Sequence, residues 1–141
     1  VTELINGTSL AFNQLGITLQ TDIPEEYSGR GDNELLASVF NNYFTNALSH
    51  VDFVEEIRIT CKELENSYRI SVYNSGKPIK GTDLQNIWQS FYRADKSHSR
   101  KEGRFGLGLS IVATIQDLHK QKYGVINHEK GVEFWFDIKK A

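Results

Sequence analysis

Methionine is absent from all 141 residues, cysteine occurs once and proline only twice. The single thiol, Cys61, excludes an internal disulfide and any multi-cysteine zinc site. It fits a reducing compartment. No run of about 18 apolar residues occurs, so the sequence offers no membrane-spanning helix. Neither sign of charge dominates: 16 Lys and Arg stand against 18 Asp and Glu, a net charge of −2. A nucleic-acid-binding domain wants a clear basic excess, and no nucleic-acid partner is expected. Signal-peptide patterns, internal repeats, low-complexity tracts and linkers are also missing. At about 150 residues per domain, residues 1–141 make one domain. Its size buries roughly 68–70% of the extended surface, enough for one core. A chain opening Val1-Thr2-Glu3 with no methionine is expected to be a monomeric piece of a longer protein.

Strand and helix patterns interleave along it. Leu15, Ile17 and Leu19 alternate as a strand does. Pro24 and Ser28-Gly29-Arg30-Gly31-Asp32 read as a loop, with Asp32 or Asn33 capping the next element. From Glu34 to about Val51, apolar residues from Leu35 to Leu48 recur at helical spacing. Ile57/Ile59/Cys61 and Tyr68/Ile70/Val72 alternate on either side of Glu65-Asn66-Ser67, which predicts a hairpin. A loop-rich stretch comes next, with a short helix expected around Asp83–Phe91. A second long helix runs from Leu107 to Leu118, directly after glycines. Tyr123–Asn127 and Val132/Phe134/Phe136/Ile138 close the chain as strands around a turn at Glu129-Lys130-Gly131. The expected fold is an α/β two-layer sandwich, a mixed but mostly antiparallel sheet with helices on one face.

Three segments carry more chemistry than packing requires. Asn42 and Asn46 stand four apart on one helix face, beside Ser38 and Ser49. Asn is a mediocre helix former, because its amide competes for backbone hydrogen bonds. Amide oxygens can help hold Mg²⁺ and amide nitrogens can donate to phosphate; a solvated face explains the pair equally well. In Asn74-Ser75-Gly76-Lys77-Pro78-Ile79, Asn74 shares the core face with Ile70 and Val72 and must find partners there. Gly76 lets the backbone approach whatever lies beside it, although a strand-ending turn would use the same residues. Gly103-Arg104-Phe105-Gly106-Leu107-Gly108-Leu109 opens a helix, where backbone N–H groups and the helix dipole favour an anion. The loop before it is basic (Arg93, Lys96, Arg100, Lys101, Arg104), as a lid over phosphates or a solvated charged loop would be.

In this order the segments resemble the catalytic, ATP-binding domain of bacterial sensor histidine kinases, of the group shared with gyrase, Hsp90 and MutL ATPases. Asn42-Tyr43-Phe44-Thr45-Asn46-Ala47 looks like the N box, and Asn74–Ile79 sits where the first glycine box belongs. Ile87–Lys96 is similar to the F box and Gly106–Val112 to the second glycine box. Gly131-Val132-Glu133-Phe134-Trp135-Phe136 is similar to the tail of Gram-positive membrane kinases of the vancomycin-resistance sensor type. The resemblance implies a Bergerat-type ATP-binding fold, with ATP and Mg²⁺ as ligands. It implies Asn46 on Mg²⁺ and Asn42 at the phosphates. Asn74 stands in place of an Asp that accepts from the adenine amino group. It further implies Gly76 and Ile79 lining the adenine pocket, and His50 where an aromatic stacks beside the nucleotide. Gly106 and Gly108 would offer backbone donors, with Leu107 and Leu109 in the same box. Phe91 would pack the lid, and Arg93 would be its cation near the γ-phosphate.

Ser49 replaces a phosphate-binding Lys common in the family, and Arg104 stands where a paired glycine is commoner. None of His50, His98, His119 and His128 lies in a phosphoacceptor pattern. The implied reaction is therefore phosphoryl transfer to a histidine on an upstream dimerisation domain, and then to a response regulator. The piece would not phosphorylate itself. It would be a cytoplasmic domain of a protein anchored in the bacterial membrane. An anti-sigma-type serine kinase and a degenerate docking module are the competing functions.

Overall fold

A computed structural model of the chain describes residues 18–22, 29–50, 56–90 and 108–141. The described residues form strands β1 (Thr18–Asp22), β2 (Gly29–Arg30), β3 (Glu56–Glu63), β4 (Ser67–Ser75), β5 (Tyr123–His128) and β6 (Gly131–Lys140). The helices are α1 (Asn33–His50) and α2 (Gly108–Leu118). Alternation sets the sheet: β3 and β4 form the expected antiparallel hairpin, closed where the Leu64 N–H donates to the Ser67 carbonyl at 2.9 Å. β4 pairs antiparallel with β6, and β5 with β6. β1 runs parallel to β3, which makes the sheet mixed. β6 is long enough for one edge to hold β5 along Gly131–Phe136 and β2 at Lys139–Lys140.

The register lines the core face up in transverse rows. Cys61, Ile70, Phe136 and Tyr123 form one; Ile59, Val72, Phe134 and Val125 form the next. The third reads Ile57, Asn74, Val132, Asn127, and turns polar at two positions. Val39, Phe40, Tyr43 and Ala47 of α1 and Val112 and Ile115 of α2 join the strands in one buried cluster. Tyr43 packs its ring on Phe134 and Phe136 and donates to the Trp135 carbonyl at 3.0 Å. Burial pushes its phenol well above the ordinary range, and nearby Tyr123 adds to the shift.

Asp32 is the N-cap of α1: its Oδ1 accepts from the Leu35 N–H at 3.0 Å. His119, just past α2, fastens this end to the other helix. Its Nε2 accepts from the Asp32 N–H at 3.1 Å, so Nδ1 carries the proton given to the Ile115 carbonyl at 2.9 Å. On the opposite face of the sheet, Arg69 grips Asp137 with two bonds of 2.8 and 3.0 Å and lies 3.7 Å over the Trp135 ring.

Two local expectations need correction. Gly29-Arg30 is strand β2 and not loop, because Gly29 lies flush on Ile138 where a Cβ would collide. The stretch 81–88 runs as turns, not as the expected helix. Asp83 and Asn86 donate back three residues, to Lys80 and Asp83, and only Ile87 makes a four-residue bond, to Asp83. One helical bond does not repay nucleation in so short a segment. Burial of Ile87 and ring contacts of Trp88 with Tyr123 and Phe134 hold it instead. Phe91 at its end lies outside the described residues, as do Leu15 and Ile17.

Candidate functional site

Three elements end close together. α1 presents Asn42, Asn46 and His50 on successive turns, and α2 begins at Gly108. β4 ends at Asn74-Ser75, followed by Gly76. Asn42 is half-buried and donates from Nδ2 to the Ser38 carbonyl at 2.8 Å, with the Ser38 hydroxyl at 3.3 Å. That fixes its amide, and its Oδ1 sits against Gly108, where a Cβ would lie only 2.9 Å away. The start of α2 therefore rests directly on the polar stripe of α1. Asn46, one turn further, is 8% exposed.

Asn74 is 2% exposed on the core face, as the alternation requires. Its Nδ2 donates to the Ser75 carbonyl at 3.0 Å. The reverse orientation would set two oxygens face to face, so Oδ1 is the atom left to accept. Gly76 has φ +143°, and a Cβ there would meet the His50 carbonyl oxygen at 2.5 Å. The chain thus leaves β4 under the last turn of α1, in a backbone conformation suited to glycine. The Gly76 N–H donates to the Lys130 carbonyl at 2.9 Å, tying this point to the β5–β6 turn.

Four of the expected site residues are therefore in contact as two pairs, Asn42 with Gly108 and His50 with Gly76. Ile79 and Leu109 pack partly buried against the core. Phe91, Arg93, Gly106 and Leu107 lie outside the described residues. One residue escaped the sequence reading. Asn127 accepts from the Ile79 N–H at 3.0 Å and donates to the Ile79 carbonyl at 2.7 Å. The available signal was a polar side chain continuing the Tyr123/Val125 alternation.

Among the described residues no three His, Cys, Asp or Glu side chains gather to hold a metal ion. A closed protein cage is therefore not what this donor set offers. Mg²⁺ commonly takes one or two protein oxygens and completes its shell with phosphate and water, and amide oxygens on α1 fit that use.

The family model for the histidine kinase-, DNA gyrase B- and HSP90-like ATPases matches residues 31–141. The chain belongs to this ATPase family. It is 37% identical over 118 residues to the sensor protein VanSB of Enterococcus faecalis, covering 84% of this chain and 26% of that protein. The catalytic domain of the histidine kinase ThkA superposes with a TM-score of 0.83 at 28% identity, over 99% of this chain and 89% of that one. ThkA solved in complex with the response regulator TrrA gives 0.80 at 25% identity, over 99% and 39%. The chain spans about a quarter of the length of the curated relatives it matches. The ATPase-family assignment agrees with the two-layer sandwich, its mixed sheet and its single helical layer.

Proposed function

We propose that this ATPase-family domain binds Mg-ATP between α1, the end of β4 and the start of α2. It then donates the γ-phosphoryl group to a histidine on a separate dimerisation and phosphoacceptor domain. The contact of Gly108 with Asn42 is the observation that carries the reading, since it joins a helix start suited to anions to an amide stripe suited to their counterion. Asn74 Oδ1 accepts from the adenine amino group, with Gly76 and Ile79 lining the base pocket and His50 stacking beside it. Asn42 meets the phosphates and Asn46 holds Mg²⁺. The backbone at Gly106, Leu107, Gly108 and Leu109 donates to phosphate oxygens. Arg93 supplies a cation near the γ-phosphate, and Phe91 packs the lid segment. When bound, Mg²⁺ neutralises phosphate charge and orients the chain of phosphates.

The protein's part is positioning and electrostatic support, as phosphoryl transfer requires. The bond from the γ-phosphorus to the β,γ-bridging oxygen breaks and ADP leaves. A ring-nitrogen lone pair of the acceptor histidine forms the P–N bond, and the other ring nitrogen then loses its proton to solvent. The acceptor lies elsewhere in the full protein. Both ring nitrogens of His119 are engaged, and His128 pairs with Glu133 at 2.8 Å. The complex of the relative ThkA with a response regulator supports a response regulator as the downstream acceptor. The names of the relatives support a sensor kinase as the whole protein; its membrane anchor, with this domain in the cytoplasm, belongs to the same reading.

Calorimetric titration with a non-hydrolysable ATP analogue, with and without Mg²⁺, tests the reading. Binding is expected to need Mg²⁺, and Asn46→Ala to weaken it about tenfold, the loss of roughly one charge-assisted contact. No heat and no thermal shift at millimolar analogue would overturn the proposal. After the phosphoacceptor domain is added back, the product should be acid-labile phosphohistidine; an acid-stable phosphoserine on a partner would point to the serine kinases of the same fold.

A further inference from the structure

The third row of the core face places Asn74 and Asn127 on strands separated only by β6, with Val132 between them. At about 4.8 Å per strand, the two backbone positions stand about 10 Å apart across the sheet. Asn127 continues the line of Tyr123 and Val125, which pack on the core, but its own side chain reaches the exposed rim. There it meets the segment after Gly76. This stretch, Lys77-Pro78-Ile79-Lys80, belongs to no strand, and Pro78 has no N–H to offer. Its backbone is held at Ile79, where the Asn127 amide takes the N–H at 3.0 Å and gives a proton to the carbonyl at 2.7 Å. The paired bonds copy those that two facing residues exchange in an antiparallel ladder. They also fix the amide, since a flip would oppose two donors and two acceptors.

We propose that Asn127 is a positioning residue for the nucleobase: it holds Ile79 as the pocket wall opposite Asn74. This rests on the reading of the site as one for Mg-ATP. Ile79 packs partly buried against the core, but its segment joins no strand; with less hold on its backbone, base contacts would carry more of the entropy of ordering it. Both side-chain hydrogen bonds of Asn127 go to the backbone of Ile79, so its influence on ligand passes through that residue. The phosphates, assigned to α1 and the start of α2, lie outside its reach.

The test uses two ligands, a non-hydrolysable Mg-ATP analogue and Mg-tripolyphosphate, which keeps the phosphates and lacks the base. Asn127→Ala is expected to weaken the analogue about tenfold, the factor that 1.4 kcal/mol gives, and to leave tripolyphosphate binding unchanged. Asn127→Asp keeps the acceptor for the Ile79 N–H and loses the donor to its carbonyl; it should weaken the analogue with the same selectivity, and it carries the test if the alanine variant fails to fold. In an Ile79→Ala background the further change Asn127→Ala should cost little, because residues that act through one another are not additive. Wild-type chain that binds no analogue overturns the nucleotide reading and this proposal with it. Wild-type binding that both Asn127 variants leave intact overturns the proposal alone. Equal weakening of both ligands, or full additivity with Ile79→Ala, also overturns it and makes Asn127 merely structural.

Discussion

Replacing Gly76 by alanine adds one methyl group at the most constrained point of the site. Two costs arise together. At φ +143° an L-residue is strained by about 1–3 kcal/mol. The new Cβ would also lie 2.5 Å from the carbonyl oxygen of His50 and 3.6 Å from its carbonyl carbon. These are backbone atoms of the last turn of α1, which cannot rotate aside as a side chain can. The turn and the strand end must separate by about 1 Å to reach ordinary contact. The two costs total about 3 kcal/mol, enough to lower the melting temperature by roughly 10 °C in a domain of this size. Circular dichroism during heating measures it, with nucleotide titration below the transition. The same shift moves His50 and Asn74 apart, so affinity for an ATP analogue should fall as well. Gly81→Ala is the control: a Cβ there meets nothing within 4 Å, and stability should change by less than about 1 kcal/mol. A Gly76→Ala domain melting within about 2 °C of wild type, with unchanged affinity, would refute the close approach.

Two further changes probe the frame. The Tyr43 phenol is raised by burial, so the folded state keeps its proton after the unfolded chain has lost it. That contribution is intact below pH 10 and is lost as pH rises through the folded value; Tyr43→Phe should flatten the alkaline fall in a stability-against-pH series, at a cost of about 1 kcal/mol at neutral pH for the bond to Trp135. An equal alkaline slope in both proteins would remove Tyr43 from the account. For Arg69 and Asp137, removal of the cation strands a carboxylate that is 5% exposed, whereas removal of the charge on Asp137 leaves a guanidinium that is 31% exposed and still stacked on Trp135. Chemical denaturation should therefore show Arg69→Ala losing about 3 kcal/mol and Asp137→Asn about 1; the reverse order would contradict the burial argument.

Alternation and helical spacing located β3 to β6 and both long helices, because each period answers to one buried face. Ile57, Ile59, Ile70, Val72, Phe134 and Phe136 announce their orientation through their neighbours. The short helix near Asp83 failed for the opposite reason: its Trp88 is held by Tyr123 and Phe134, far along the chain, and those contacts need no helical backbone. The site was legible wherever residue type alone restricts the role. Gly76 promised a close approach, but only the fold names the His50 carbonyl as the neighbour. Asn74 promised a buried amide, and the Ser75 carbonyl then decides which of its atoms is left to accept. Asn127 stood out only as a polar residue in the Tyr123/Val125 alternation; its partner, a backbone group 48 positions away, is named by the fold alone.

The rows of the sheet explain why the candidate site lies at this end. Two successive rows are filled by apolar or weakly polar side chains, and α1 and α2 close over them. The third row places amides at Asn74 and Asn127, and each is fixed by a carbonyl, of Ser75 and of Ile79. Apolar packing alone would not favour an amide at Asn74, because a buried polar group costs free energy unless it is bonded. Beside this row α1 ends and α2 begins, and helix ends carry unpaired backbone groups by construction. Gly76 and Gly108 have no Cβ, and without one the strand end meets α1 and the start of α2 rests on Asn42. Fixed amides, a helix start and two close backbone approaches thus converge where the core stops. A flat, hydrogen-bonding ring joined to an anion is the kind of ligand that uses all of them at once.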